Sequence, residues 1–373
     1  MQVLLKINVL IVSTSSLPVP PRTYGGVERV VFDLAVSLHR LGHCVTVAAP
    51  EGSNLPEGIG FLSTGKGGSS LLEVSSLRRC LPALKDFDVV CDFSHTKILG
   101  SIIHSDQPVY IPVCGTHHLP RLPTSKPRLV CVSEAHRAFI MKKYGYDSRV
   151  IYNGINTSFF RPDGNSERKE RLLFMGRFVP EKGALEAIRI SRKLKMPIDV
   201  VEGRTKEPFK MSVFRFLASL NAPGLKTLSK IYHGEQLDLG YFLDVYRELK
   251  DPHVKYFPEV VDSEKKKLMN EDSVFIFPLR WEEPFGLTVA EAQAAGMPVV
   301  AYRRGSMPEL IVDGGTGFVV EPDDEEQFAN KVREAANLNR EDCVRNAVER
   351  FDRMVMAKNY ERIFAEAMGG ERW

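Results

Sequence analysis

The chain reads as α/β, two doubly wound parallel-sheet domains facing each other across a cleft. Three observations predict this. Short β-rich runs alternate with stretches of helical periodicity, the pattern restarts after the polar link PDGNSERKE at 162–170, and 373 residues exceed what a single core of ordinary size fills. The predicted boundaries are 1–160 for the first domain and 161–354 for the second.

In the first series, INVLIVS opens as a strand. The upstream run VLLKINVLIVS is broken by Lys6 and Asn8 and leads into no convincing cleavage site, which argues against a signal sequence. GGVERVVFDLAVSLHRLG follows as a helix with Val27, Val30, Val31, Leu34, Leu38 and Leu41 on one face and Gly42 at its end. CVTVAAP, DVVCDF, VYIPVCG, RLVCVS and RVIYN are the further strand candidates. The second series runs RLLFMG, the helix GALEAIRISRKLK, then PIDVVEG, HVKYFP, SVFIFP, PVVAY and TGFVVE. In EPDDEE (321–326), Pro322 with Asp323 or Asp324 reads as a helix cap region. Periodicity does not place the last helical stretch, MVMAKNYERIFAEAM.

One segment breaks the rhythm. Residues 208–234 hold no acidic residue and four basic ones, Lys210, Arg215, Lys226 and Lys230, and read as an insertion. Val213, Phe214, Leu217 and Leu220 make an apolar face beside them, which suits peripheral contact with an anionic membrane surface or an acceptor phosphate. The competing reading is a helical excursion packed on its own domain.

Composition narrows the function. Fifty basic against 47 acidic residues give a formal charge of +3, so net charge indicates no nucleic-acid partner. Six cysteines without a Cys-x-x-Cys pair read as reduced core residues of a cytoplasmic protein, and no apolar run reaches transmembrane length.

The most informative stretch is EEPFGLTVAEAQAAGMPVVA (282–301). It sets Glu283 and Glu291 around a helix opened by Gly286 and closed by Gly296 and Pro298, in front of a buried strand. Were most of the interval helical, the two carboxylates would stand up to ~12 Å apart along the axis, a span for a long polar ligand. A surface helix with two solvated glutamates has the same spacing. YGGVER (24–29) brings Gly25 and Gly26 to a helix start, where backbone N–H groups can approach a phosphate. In MGRFVPEKG (175–183), Gly176 ends a strand, Arg177 offers a planar five-donor fork and Lys182 a point charge, a set that suits a diphosphate. RRGSMPEL (303–310) adds another glycine loop at a helix start. Each alone is as readily a plain turn or a solvated pair.

Taken in order, YGGVERVV, VSEAHRAFIMKKYG, VIYNGINTSFFRP, LLFMGRFVPEKG, the Glu-x7-Glu of EEPFGLTVAE and GSMPELIVDGGTGFVV resemble the retaining, nucleotide-sugar-dependent glycosyltransferases of family 4, with the GT-B architecture of two facing Rossmann-like domains. The resemblance spans nearly the whole chain. It implies that Glu291 binds the ribose hydroxyls of the donor, that Glu283 contacts the transferred sugar, and that Arg177 with Lys182 holds the diphosphate. Gly25, Gly26, Gly176, Phe285, Gly286 and Leu287 complete the implied donor-binding set, and the final helix, 355–373, is implied to cross back to the first domain. The family's histidine after the fourth strand matches His118 best in VCGTHHLP, with His117 one position away, and either fits. Where relatives often have His-x-His after the third strand, this chain has Cys91-Asp92-Phe93 and then His95, which stays a candidate acceptor-side residue. Trp281 either lines the sugar pocket or fills core. The usual glycine-rich turn after PIDVVEG is replaced by GRTKEP, leaving the nucleobase contacts open.

The function so implied is transfer of a hexose from a nucleoside-diphosphate sugar, UDP-sugar first and GDP-sugar second, to a hydroxyl of a glycan, lipid or small molecule. No Asp-x-Asp metal motif is evident, and neither metal nor cofactor is expected beyond the nucleotide-sugar co-substrate. Two competing readings keep the same residues: a sugar-nucleotide isomerase or epimerase of this architecture, and a non-catalytic nucleotide-sugar-binding module. A nicotinamide dehydrogenase is disfavoured, because no Gly-x-Gly-x-x-Gly follows either first strand. The oligomeric state is open at this stage.

Overall fold

The structure, a computed structural model, describes residues 6–67, 70–103, 108–164, 168–203 and 239–373. The proposed insertion at 208–234 lies outside them. Two parallel sheets carry the chain. The first lobe holds β1 (Asn8–Val12), β2 (Cys44–Ala49), β3 (Gly60–Ser63), β4 (Val89–Asp92), β5 (Val109–Cys114), β6 (Val130–Cys131) and β7 (Arg149–Val150), in the order β3-β2-β1-β4-β5-β6-β7. The second holds β8 (Lys169–Gly176), β9 (Ile198–Glu202), β10 (Val254–Phe257), β11 (Asp272–Phe277), β12 (Val299–Tyr302) and β13 (Gly317–Val320), ordered β10-β9-β8-β11-β12-β13.

Central strands are apolar throughout because both faces are covered. Val9 to Val12 on β1 and Val274 to Phe277 on β11 are buried without alternation. In each sheet the strand order reverses once, between β1 and β4 and between β8 and β11, and the loops leaving those strands flank the crevice where doubly wound sheets bind ligands. The loop after β8 carries Arg177 and Lys182; the loop after β11 carries Trp281 and Glu283.

Helix α1 (Gly26–Arg40) buries Val30, Val31, Leu34 and Leu38 against the first sheet, leaving Val27 and Leu41 partly covered. Helix α2 (Glu134–Tyr144) starts at a Ser133 cap whose hydroxyl accepts from His136 N. In the second lobe, α3 (Ala184–Leu194), α4 (Asp262–Glu271) and α5 (Leu287–Ala294) follow β8, precede β11 and follow β11 respectively. The last helix, α6 (Arg353–Met368), seats Met356, Tyr360, Ile363 and Phe364 in the apolar core of the first lobe. Arg353 at its start pairs with Asp33 of α1 at 3.0 Å, both largely buried.

The structure departs from the sequence-based expectation at three places. β3 lies outside the predicted strands; it is an edge strand of four residues, Gly-Phe-Leu-Ser, whose adjacent apolar pair gives no alternation. RVIYN contributes only two residues of strand. Five cysteines are buried thiols, but Cys44 is exposed at the start of β2. Among the described residues no helix is long and apolar enough to cross a membrane.

Candidate active site in the cleft

Past β11 the chain turns at Pro278 and runs along the mouth of the second lobe to Gly286, so the side chains of Trp281, Glu282 and Glu283 are presented from one loop. Lys182 reaches the same place from the single turn Pro180–Lys182 after β8. Its Nζ lies 2.5 Å from Glu283 Oε2, and Trp281 Nε1 donates to that oxygen at 2.8 Å. The ammonium also sits over the Trp281 ring, 4.7 Å from its centroid. Lys182 and Glu283 are each 12% exposed, so this pair is shielded from water far more than a surface ion pair.

Gly305 fixes the other side of the loop. It has φ +53, and a Cβ there would lie 2.2 Å from Glu283 O, so only glycine allows the Arg303–Leu310 segment to close on the Glu283 backbone. Ser306 N then donates to Glu283 O at 3.0 Å and Gly305 N to Glu282 Oε2 at 2.6 Å.

The facing lobe supplies His117. Its ring stacks on Phe139 of α2 with centroids 4.1 Å apart and meets the Trp281 ring at 5.2 Å. Burial holds the imidazole below the usual histidine range, with the Glu283 carboxylate opposing that effect. His136 underlies it, its Nε2–H donating to Thr116 O at 3.0 Å, and its burial lowers its pKa to about 4. A cavity of about 180 Å³ lies between the lobes here, lined by His117, His136, Phe139, Glu282, Glu283 and Gly305. His118, the better motif match, is exposed, and its hydrogen bonds to Thr116 are made by its backbone. Of the two, it is His117 whose ring lines the cavity between the lobes.

Deeper in, Glu291 projects from α5 and is 1% exposed. Lys265 Nζ of α4 donates to its Oε1 at 2.8 Å, while its buried Oε2 has no hydrogen-bond partner among the described residues. Gly286 opens α5 in the left-handed region with no side-chain cap. Phe285 beside it is buried, and Leu287 packs against the cores of both lobes. Arg177 is buried directly after β8; a Cβ on Gly203 would meet both its backbone N and the Tyr24 ring of the facing lobe.

Gly25 and Gly26 stand across from this. A Cβ on Gly26 would lie 3.4 Å from Leu287 Cδ1, which brings the two lobes' helix starts face to face. The first turn of α1 also holds Glu28, a buried carboxylate that accepts the Thr14 hydroxyl; any phosphate at this turn would share it with that charge. His95 is half-buried in the loop after β4, and buried Glu73 ties that loop to the one after β1 through Thr96 N at 2.7 Å and Ser15 N at 3.2 Å. Sequence reading named neither Lys265, Glu28, His136 nor Glu73. All four act through partners distant in the chain, for which a single sequence carries no spacing signal.

Polar groups also tie the lobes. Ser133 Oγ donates to Pro284 O at 2.6 Å, and Glu309 accepts from Glu134 N at 2.8 Å and Ala135 N at 2.7 Å, closing the first turn of α2 from the other lobe. Arg29 pairs with Asp262 at 2.5 Å, and Thr23 Oγ1 donates to Glu259 at 2.6 Å.

Comparison with known proteins bears on the family and the fold. The family model "Glycosyltransferase Family 4" matches residues 24–159, and "Glycosyl transferases group 1" matches 244–350. A 41.2 kDa uncharacterized protein in the cps region of Klebsiella pneumoniae is 35% identical over 129 residues, covering 32% of this chain and 35% of that protein. A D-inositol 3-phosphate glycosyltransferase of Acidothermus cellulolyticus is 28% identical over 211 residues, 54% of this chain and 43% of that protein. The chain thus spans well under two thirds of either relative. Among solved structures, AviGT4, a glycosyltransferase involved in avilamycin A biosynthesis, aligns with a TM-score of 0.74 at 23% identity, over 98% of this chain and 99% of that one. An Anabaena protein crystallised with UDP-glucose aligns with a TM-score of 0.66 at 16% identity, over 98% and 100%. These likenesses establish the two-lobed fold.

Proposed function

The chain belongs to the glycosyltransferases of GT-B architecture, and from that premise we propose that it transfers a hexosyl residue from a nucleoside-diphosphate sugar to an acceptor hydroxyl with retention of configuration. The observation that carries the proposal is the meeting at one cavity of Glu283, held by Lys182 and Trp281 of its own lobe, with His117 of the facing lobe. A UDP-sugar is the favoured donor, supported by the UDP-glucose bound to the Anabaena neighbour; a GDP-sugar is second.

Glycosyl transfer must stabilise a departing diphosphate while positive charge grows on the sugar ring. In this reading Lys182 and the guanidinium of Arg177 face the leaving oxygens, fixed charges that need no metal ion to do so. An arriving diphosphate competes with Glu283 for Lys182. That exchange releases the Glu283 carboxylate to accept sugar hydroxyls, and the Trp281 face beside it offers an apolar platform for the ring. A neutral His117 supplies one donor and one acceptor at the cavity wall without adding charge. Glu291 Oε2 is an acceptor waiting for a hydroxyl, which suits the ribose. A cytoplasmic location, supported by six cysteines without a Cys-x-x-Cys pair, belongs to the same proposal, with contact of 208–234 with an anionic lipid surface as the second reading of that segment beside packing on its own domain.

The test is thermal stabilisation against UDP-, GDP- and ADP-sugars. One nucleotide family should raise the melting temperature in proportion to the logarithm of its concentration. Glu291→Ala should reduce that shift, and Arg177→Ala should lower turnover with the acceptor supplied. No shift with any member, or variants indistinguishable from wild type, overturns the assignment.

A further inference from the structure

Glu291 has one carboxylate oxygen engaged and the other buried without a partner among the described residues. The group that engages it, Lys265 Nζ, is 14% exposed and rests over the Phe160 ring, 5.2 Å from its centroid, so its position is defined by packing as well as charge. On the same helix Asp262 Oδ1 lies 4.0 Å from that ammonium, and Asp262 Oδ2 holds Arg29 of the facing lobe at 2.5 Å. Glu291, Lys265, Asp262 and Arg29 therefore form a run of alternating charge from the floor of the cleft to the first turns of α1. A carboxylate 1% exposed needs a compensating cation to remain in place, and Lys265 supplies it from the side away from the unpartnered oxygen. Arg29 donates as well to Thr23 O at 2.8 Å, so the far end of the run is anchored to the loop preceding Gly25 and Gly26.

We propose that Lys265 is a positioning residue for donor recognition: it fixes Oε1 of Glu291 so that Oε2 meets a ribose hydroxyl, and Asp262 ties this pair to Arg29, coupling ribose recognition to the contact between lobes. The inference rests on the donor reading above. An ionised carboxylate only accepts, and the ribose hydroxyls donate, so the pair discriminates a ribonucleotide from its deoxyribose counterpart.

The experiment measures Kd by calorimetry on the full chain for the responding nucleoside diphosphate and its 2′-deoxy form, with melting temperatures checking that each variant folds. Wild type should favour the ribo form about tenfold or more, the loss expected when a hydrogen bond to a charged group goes unmade. Lys265→Met should bring the ratio close to one, Lys265→Arg should retain most of it, and KM for the donor should change more than kcat in both. Asp262→Asn should lower the ratio in the wild-type background and have no further effect beside Lys265→Met. A folded Lys265→Met protein that keeps the wild-type ratio overturns the inference while leaving the transferase reading intact. Equal effects of Asp262→Asn in both backgrounds overturn the link to Arg29. A wild type that binds nucleotides without discriminating overturns the ribose role of Glu291, and one that binds none overturns both readings.

Discussion

At the residue scale, the cleft separates side chains that spacing alone cannot separate. His117 and His118 are adjacent, yet only His117 stacks on Phe139 and reaches Trp281. His117→Ala should therefore lower kcat by about 10- to 100-fold, the range for a lost hydrogen bond near a developing charge, while His118→Ala should stay within about twofold of wild type. Steady-state kinetics of the two variants decide it, and the reverse order would return the role to His118. For the charged residues, sequence places Arg177 and Lys182 after a strand and before a helix, Glu283 in the loop after β11 and Glu291 inside the helix that loop opens, while their roles come from the family resemblance. What chooses between two neighbouring histidines is a ring on a helix more than twenty residues later, and no periodicity reports it. The same holds for Lys265, whose partner lies 26 residues on.

At the element scale, the six strands of the second sheet were readable because each is a short apolar run between polar turns, whereas β3 lacks that signature. β11 carries a cost at its first residue. Asp272 is 1% exposed, its Oδ2 has no hydrogen-bond partner among the described residues, and burial, reinforced by the neighbouring Asp199 carboxylate, raises its pKa from 3.8 to about 8. The sign follows from proton counting. Between pH 4 and 8 the folded chain holds a proton that the unfolded chain has released, so this group's contribution is full below the unfolded value and is lost as pH rises through the folded one. The slope has a ceiling of about 1.4 kcal/mol per pH unit. Asp272→Asn removes the titration. Melting curves should show the variant gaining on wild type from pH 5 to 8 and levelling above; a difference independent of pH would mean that Asp272 ionises normally. A constant offset from the new amide leaves the slope unaffected.

At the scale of the whole molecule, the two sheets could be read from the rhythm of strands and helices, but their mutual placement could not, because its ties join residues far apart in sequence. Glu309 and Glu134 are 175 positions apart. The polar ties contribute about 1 kcal/mol net each, beside the apolar contact that Leu287 makes with the cores of both lobes. Glu309 ties three groups: its two oxygens accept from two backbone N–H groups at the start of α2 and from Tyr152 OH at 3.1 Å. A carboxylate at a helix N-terminus both satisfies orphan donors and meets the positive end of the helix dipole, worth about 0.5–2 kcal/mol. Removing it leaves α2 itself folded, since Ser133 still caps it, but weakens the grip of one lobe on the other. Glu309→Ala should therefore enlarge the radius of gyration in small-angle X-ray scattering without lowering the melting temperature by more than a few degrees. Saturating donor should reverse part of that expansion, because a ligand gripped by both lobes restores contact by mass action. Scattering identical to wild type, with and without donor, would show that the remaining contacts at Arg29, Thr23 and Ser133 hold the lobes together unaided.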